Sequence, residues 1–90
     1  MKRTEKRLLQ LMDEQEALRR EQLQVAEELA FHRHLRDDAV RDAAVSGNYE
    51  DRSEARRTEA EVLRFERVLE QLQLRELSLD RKRRKLLEKL

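Results

Sequence analysis

Along the second half of the chain one set of positions advances in alternating steps of four and three: Thr58, Val62, Phe65, Leu69, Leu72, Glu76, Leu79, Arg83, Leu86 and Leu90. Most of these are apolar, and the spacing is that of a heptad seam, the stripe along which one helix packs against another. The first half carries a matching stripe at Leu8, Leu11, Gln15, Leu18, Gln22, Val25, Leu29, His32, Arg36, Ala39 and Ala43. Between them lies Ser46-Gly47-Asn48-Tyr49, with the only glycine of the chain. Gly47 suits the left-handed cap of a first helix, and Asn48 the N-cap of a second, with Asp51 closing a capping-box-like pair. The pattern therefore predicts an all-α fold: a single long antiparallel two-helix coiled-coil hairpin. Its helices should cover residues about 2–45 and 50–89, with a turn at about 46–49.

Folding the chain back at Asn48-Tyr49 tests this reading. Facing residues then have position numbers adding to about 97 or 98. Leu8 meets Leu90, Leu11 meets Leu86, Leu18 meets Leu79, Val25 meets Leu72 and Leu29 meets Leu69. The polar members also meet: Gln15 faces Arg83, and Gln22 faces Glu76. Toward the turn the layers shrink, to Ala39 with Thr58 and Ala43 with Ala55. Two unrelated helices have no reason to agree in this way, whereas a hairpin requires it.

Composition narrows the function classes. Of the 90 residues, 46% are charged and only 3% aromatic, which by itself is compatible with disorder, but the regular apolar spacing points to long helices. A seam without a globular core leaves little room for a buried active site, so the chain is expected not to be an enzyme. No HExxH, P-loop or nucleophile–base pair occurs. His32 and His34, two residues apart, point about 200° away from each other on a helix, so one ion cannot take both. His32 instead falls in the seam opposite Phe65. A formal net charge of +1 gives weak general attraction to nucleic acid, and no direct sequence-specific binding to it is expected. No cysteine is present, and no apolar run is long enough to span a bilayer, so no membrane partner and a cytoplasmic location are expected.

Two features call for a partner. Asp37, Asp38, Asp42, Glu50, Asp51 and Glu54 surround the turn, against Arg41 and Arg52, while Lys2, Arg3, Lys6 and Arg7, with Arg81 to Lys85 and Lys89, crowd the open end. Helix dipoles account for this in the second helix but not in the first, whose N-terminus is basic and whose last turn is acidic. In addition, twelve apolar residues lie off the seam: Leu9, Met12, Leu23, Ala26, Phe31, Val40, Val45, Leu63, Val68, Leu74, Leu77 and Leu87. That number on so thin a structure implies that one side docks on a protein partner or on a second copy, as in a homodimer.

The stretch from Ala43 to Glu54 resembles the coiled-coil tip of the bacterial Gre transcript-cleavage factors, which carry a pattern like G-D-[LI]-x-E-N-x-E-Y. Gly47 and Glu54 match it, Asp51 stands in for its Glu, and Phe65, Glu66, Leu69 and Leu72 follow without a gap. The resemblance implies a hairpin that enters the secondary channel of RNA polymerase. The partner-binding tip would be Asp42, Asn48, Tyr49, Glu50, Asp51 and Glu54, and Asp51 would share a Mg²⁺ at the polymerase active site. No cofactor of its own is implied. Asn48 replaces the family's Asp, Tyr49 its Leu, Arg52 its Asn and Ala55 its Tyr, and no counterpart of the family's C-terminal domain is found in these residues. The resemblance is thus to a channel-binding modulator of elongation or cleavage. The residues alone leave open a structural or adaptor coiled coil with no polymerase role.

Overall fold

The computed structural model describes residues 2–90. Two helices, α1 (Arg3–Ser46) and α2 (Tyr49–Glu88), account for nearly all of them. They pair antiparallel as a helical hairpin, the fold that the heptad stripes predict. The turn is shorter than expected. Ser46 and Tyr49 are helical, and only Gly47 and Asn48 lie between the helices.

Local chemistry explains so tight a reversal. Gly47 sits at φ 64, a left-handed conformation that glycine adopts without the Cβ penalty, and its N–H donates to the Ala43 carbonyl at 2.9 Å. Asn48 then starts α2 as its N-cap. Its Oδ1 accepts the Asp51 N–H at 2.9 Å, and its carbonyl accepts the Arg52 N–H at 3.2 Å. The return half of the expected capping box is not made directly. The Asn48 N–H donates to Ser46 Oγ at 3.3 Å, and that hydroxyl donates to the Asp51 carboxylate. Ser46 has the reach because α1 carries one residue further than expected.

The chain divides into two compact units. The first comprises Met1–Leu23 and Glu70–Leu90. Its core is Leu11, Leu18 and Leu79, with Leu72 and Leu86 packed against it. Burying each such leucine is worth roughly 1.5–3 kcal/mol. Both expected polar layers form. Arg83 Nη1 donates to Gln15 Oε1 at 3.4 Å, and Gln22 Nε2 to Glu76 Oε2 at 2.6 Å. Leu90 departs from the expected layer with Leu8. It lies beyond the end of α2 and is 64% exposed, since no helical backbone holds it against the seam.

The second unit is Gln24–Leu69 and contains the turn. Val25, Leu29, Ala39 and Val62 are buried, and the His32 and Phe65 rings stack at 4.5 Å. Buried Thr58 is satisfied by donating its hydroxyl to the Glu54 and Ala55 carbonyls, both at 3.0 Å.

Candidate interaction surfaces

At the turn, the residues expected to form a tip fall into three groups. Asn48 and Asp51 belong to the cap and are tied together through Ser46. Tyr49, Glu50 and Glu54 line a shallow recess together with Ser53 and Arg57. Asp42 lines neither. It stands one helical turn before Ser46 on α1, exposed and without an ion-pair partner among the described residues.

The carboxylates of this end differ in how they are occupied. Glu54 pairs with Arg57, and Asp38 with Arg41, each along its own helix. Asp51 accepts from Ser46. Glu50, like Asp42, is exposed and makes no ion pair among the described residues. Tyr49 is 67% exposed, with the Arg56 guanidinium 6.0 Å from its ring centroid. Among the described residues no three His, Cys, Asp or Glu side chains are gathered so as to hold a metal ion. Sequence reasoning placed Ser46 in the turn but gave it no part in the cap. Its signal was faint: a hydroxyl at a helix C-terminus with an Asp five residues on.

A second surface lies along one flank of the first unit. Leu9, Met12 and Leu23 on α1, and Leu77 and Leu87 on α2, each follow a seam position by one residue. Such residues sit about 100° around the helix from the seam. Because the helices are antiparallel, these positions on both helices border the same flank. Accordingly, Leu9, Met12 and Arg19 line one recess, and Arg19, Leu77 and Asp80 line the next. The five apolar residues are 42–63% exposed. On the opposite flank, the residues one step before the seam, such as Arg7, Glu14, Glu21, Arg75, Lys82 and Lys89, include no large apolar side chain.

The polar layers of this unit complete the picture. Glu76 accepts from Gln22 and, at 3.0 Å, from Arg19 Nε. Those hydrogen bonds, Gln22 first, hold its carboxyl below the ordinary carboxylate value. Gln15 is only 2% exposed, and its Nε2 has no hydrogen-bond partner among the described residues. The same side chain lines the recess beneath Leu9 and Met12.

No helix among the described residues is long and apolar enough to cross a membrane. No known family model matches the chain, and no curated protein or solved structure matches it either.

Proposed function

We propose that the chain is a binding hairpin whose acidic turn enters a narrow channel of a protein partner, and that this partner is RNA polymerase, reached through its secondary channel. The observation that carries the reading is the turn itself. Two residues reverse the chain, so the end is no wider than two helices, and Asp42 and Glu50 stand on it with no cation of their own. Carboxylates left without local partners suit a cationic or metal-bearing cleft. The tip sequence, with its similarity to Gre factors, supplies the identity of the partner. Asn48 brings no charge to a metal, and Asp51 is engaged by Ser46, so the expected action is modulation of elongation or competition for the channel. Efficient transcript cleavage is not expected of the native chain.

The test uses purified polymerase stalled on backtracked RNA. The native chain should compete with a Gre factor and stimulate little cleavage. Asn48→Asp with Asp51→Glu should raise Mg²⁺-dependent cleavage. If neither form alters cleavage, elongation or Gre competition, the polymerase reading fails. A second reading, an adaptor or structural coiled coil, is favoured by a different observation, the exposed apolar flank of the first unit.

A further inference from the structure

We infer that the apolar flank is covered by a second copy of this chain, lying antiparallel across it. This rests on the adaptor reading and is independent of the turn. The flank alternates in kind along its length. Leu9, Met12 and Leu87 form one apolar patch, and Leu23 and Leu77 another, with a charged row of Glu16, Arg19, Asp80 and Arg84 between them. That row contains two charges of each sign, arranged so that the flank complements itself.

Turning one copy end over end about an axis across the flank sets α1 against α1 and α2 against α2. Glu16 then meets Arg19 of the second copy and Met12 meets its Leu23, each pair of position numbers adding to 35. On α2, Asp80 meets Arg84 of the second copy and Leu77 meets its Leu87, each pair adding to 164. The two midpoints fall about two residues apart in height, about 3 Å at 1.5 Å per residue, a stagger that the long charged side chains can span about one two-fold axis. Such an isologous contact closes after two copies. A parallel arrangement also matches signs in the middle row. It would, however, gather the basic N-terminal residues Lys2, Arg3, Lys6 and Arg7 of both copies at one end, whereas the antiparallel arrangement separates them. Like charges set side by side oppose that arrangement.

Two further features fit. Among the described residues, Glu16, Asp80 and Arg84 hold only ion pairs four residues along their own helices, with Arg20, Arg84 and Asp80 respectively, and such exposed pairs exchange partners at little cost. The unpartnered Gln15 Nε2 lies beneath the same flank. The five apolar side chains offer several hundred Å² of surface. This falls short of the roughly 800 Å² per partner of a standard interface and fits a weak, concentration-dependent dimer.

Sedimentation equilibrium of the full chain, with helicity followed by circular dichroism, tests the inference. The native chain should dimerise at concentrations on the order of 100 μM, and Leu23→Glu or Leu77→Glu should weaken the dimer about tenfold or more without loss of helix. Both residues are exposed, so the hairpin tolerates the change. Asp80→Arg or Arg84→Asp alone should weaken association about fivefold, and the two together should restore it. The double exchange keeps the pair within α2 and the antiparallel cross-pair. In a parallel dimer it would instead bring a second cation against Arg19 and a second carboxylate against Glu16. A monomer at millimolar concentration overturns the inference, as does a double variant weaker than both single ones. Neither result bears on polymerase binding by the turn.

Discussion

Replacing Gln15 by leucine should stabilise the hairpin, although it removes one of the few hydrogen bonds that cross between the helices. Gln15 is 2% exposed and lies between the Leu11 and Leu18 layers. Its Oε1 receives a long bond of 3.4 Å from Arg83, while its Nε2 has no partner. A buried donor left unpaired costs about 1–3 kcal/mol, and a neutral acceptor at that distance returns less than about 1 kcal/mol. Leucine removes the unpaired donor and extends the apolar run, and Arg83, half-exposed, keeps access to water. The expected net gain is about 1–3 kcal/mol, or roughly 4–8 °C in Tm per kcal/mol for a domain of this size. Thermal and urea melts at fixed protein concentration, followed by circular dichroism, measure it. Gln15→Ala is the control: it also removes the donor but leaves a void, so it should gain nothing. A Gln15→Leu variant no more stable than the native chain would refute the reasoning and show that the amide is satisfied in solution. The benefit carries a cost in uniqueness, because a polar layer penalises every other alignment of the helices.

Register can be measured by cross-linking: cysteines at Leu18 and Leu79 should form an intramolecular disulfide readily, and cysteines at Leu18 and Leu86 should not. At the turn, Gly47→Ala meets no steric neighbour but must hold φ 64, so a loss of about 1 kcal/mol is expected in urea melts. Asn48→Ala should cost about 1 kcal/mol by the same measure, through loss of the N-cap. Glu76 sets a pH dependence. Its folded carboxyl titrates below the unfolded one, so its stabilisation is present above the ordinary value of 4.5 and is lost as pH falls through the lower folded value. The native chain should thus lose more stability between about pH 5 and pH 3 than Glu76→Gln does, and parallel losses would remove Glu76 as the cause.

Most of the fold was legible because a heptad seam is a one-dimensional signal. Every seam position named on α1 is buried or half-buried, and so is every one on α2; only Leu90, beyond its end, is exposed. The polar layers were legible for the same reason, since register alone pairs Gln22 with Glu76. The details of the turn were not. Ser46, Asn48 and Asp51 lie within six residues, and several hydrogen-bonding schemes among them satisfy the same backbone groups. Which scheme forms depends on whether α1 ends before or after Ser46, a difference of one residue. The apolar flank was half legible. Composition revealed an excess of exposed apolar residues, but their gathering on one side follows only once the helices are aligned. What the turn recognises is less legible still, because Asp42, Glu50 and Tyr49 are exposed, and exposure alone names no partner.

The short reach of the turn also sets the order in which the chain can assemble. The Gly47, Asn48 and Asp51 hydrogen bonds close loops of only a few residues, whereas the Gln15–Arg83 layer joins residues 68 apart. Closing that outer loop first would cost the most chain entropy, but once an inner layer stands, each further layer encloses only a few additional residues on each strand. Assembly is therefore expected to run as a zipper, from the turn outward. Opening runs the other way, beginning where Leu90 already leaves the seam, so the turn is the first part of the chain to take shape and the last to lose it.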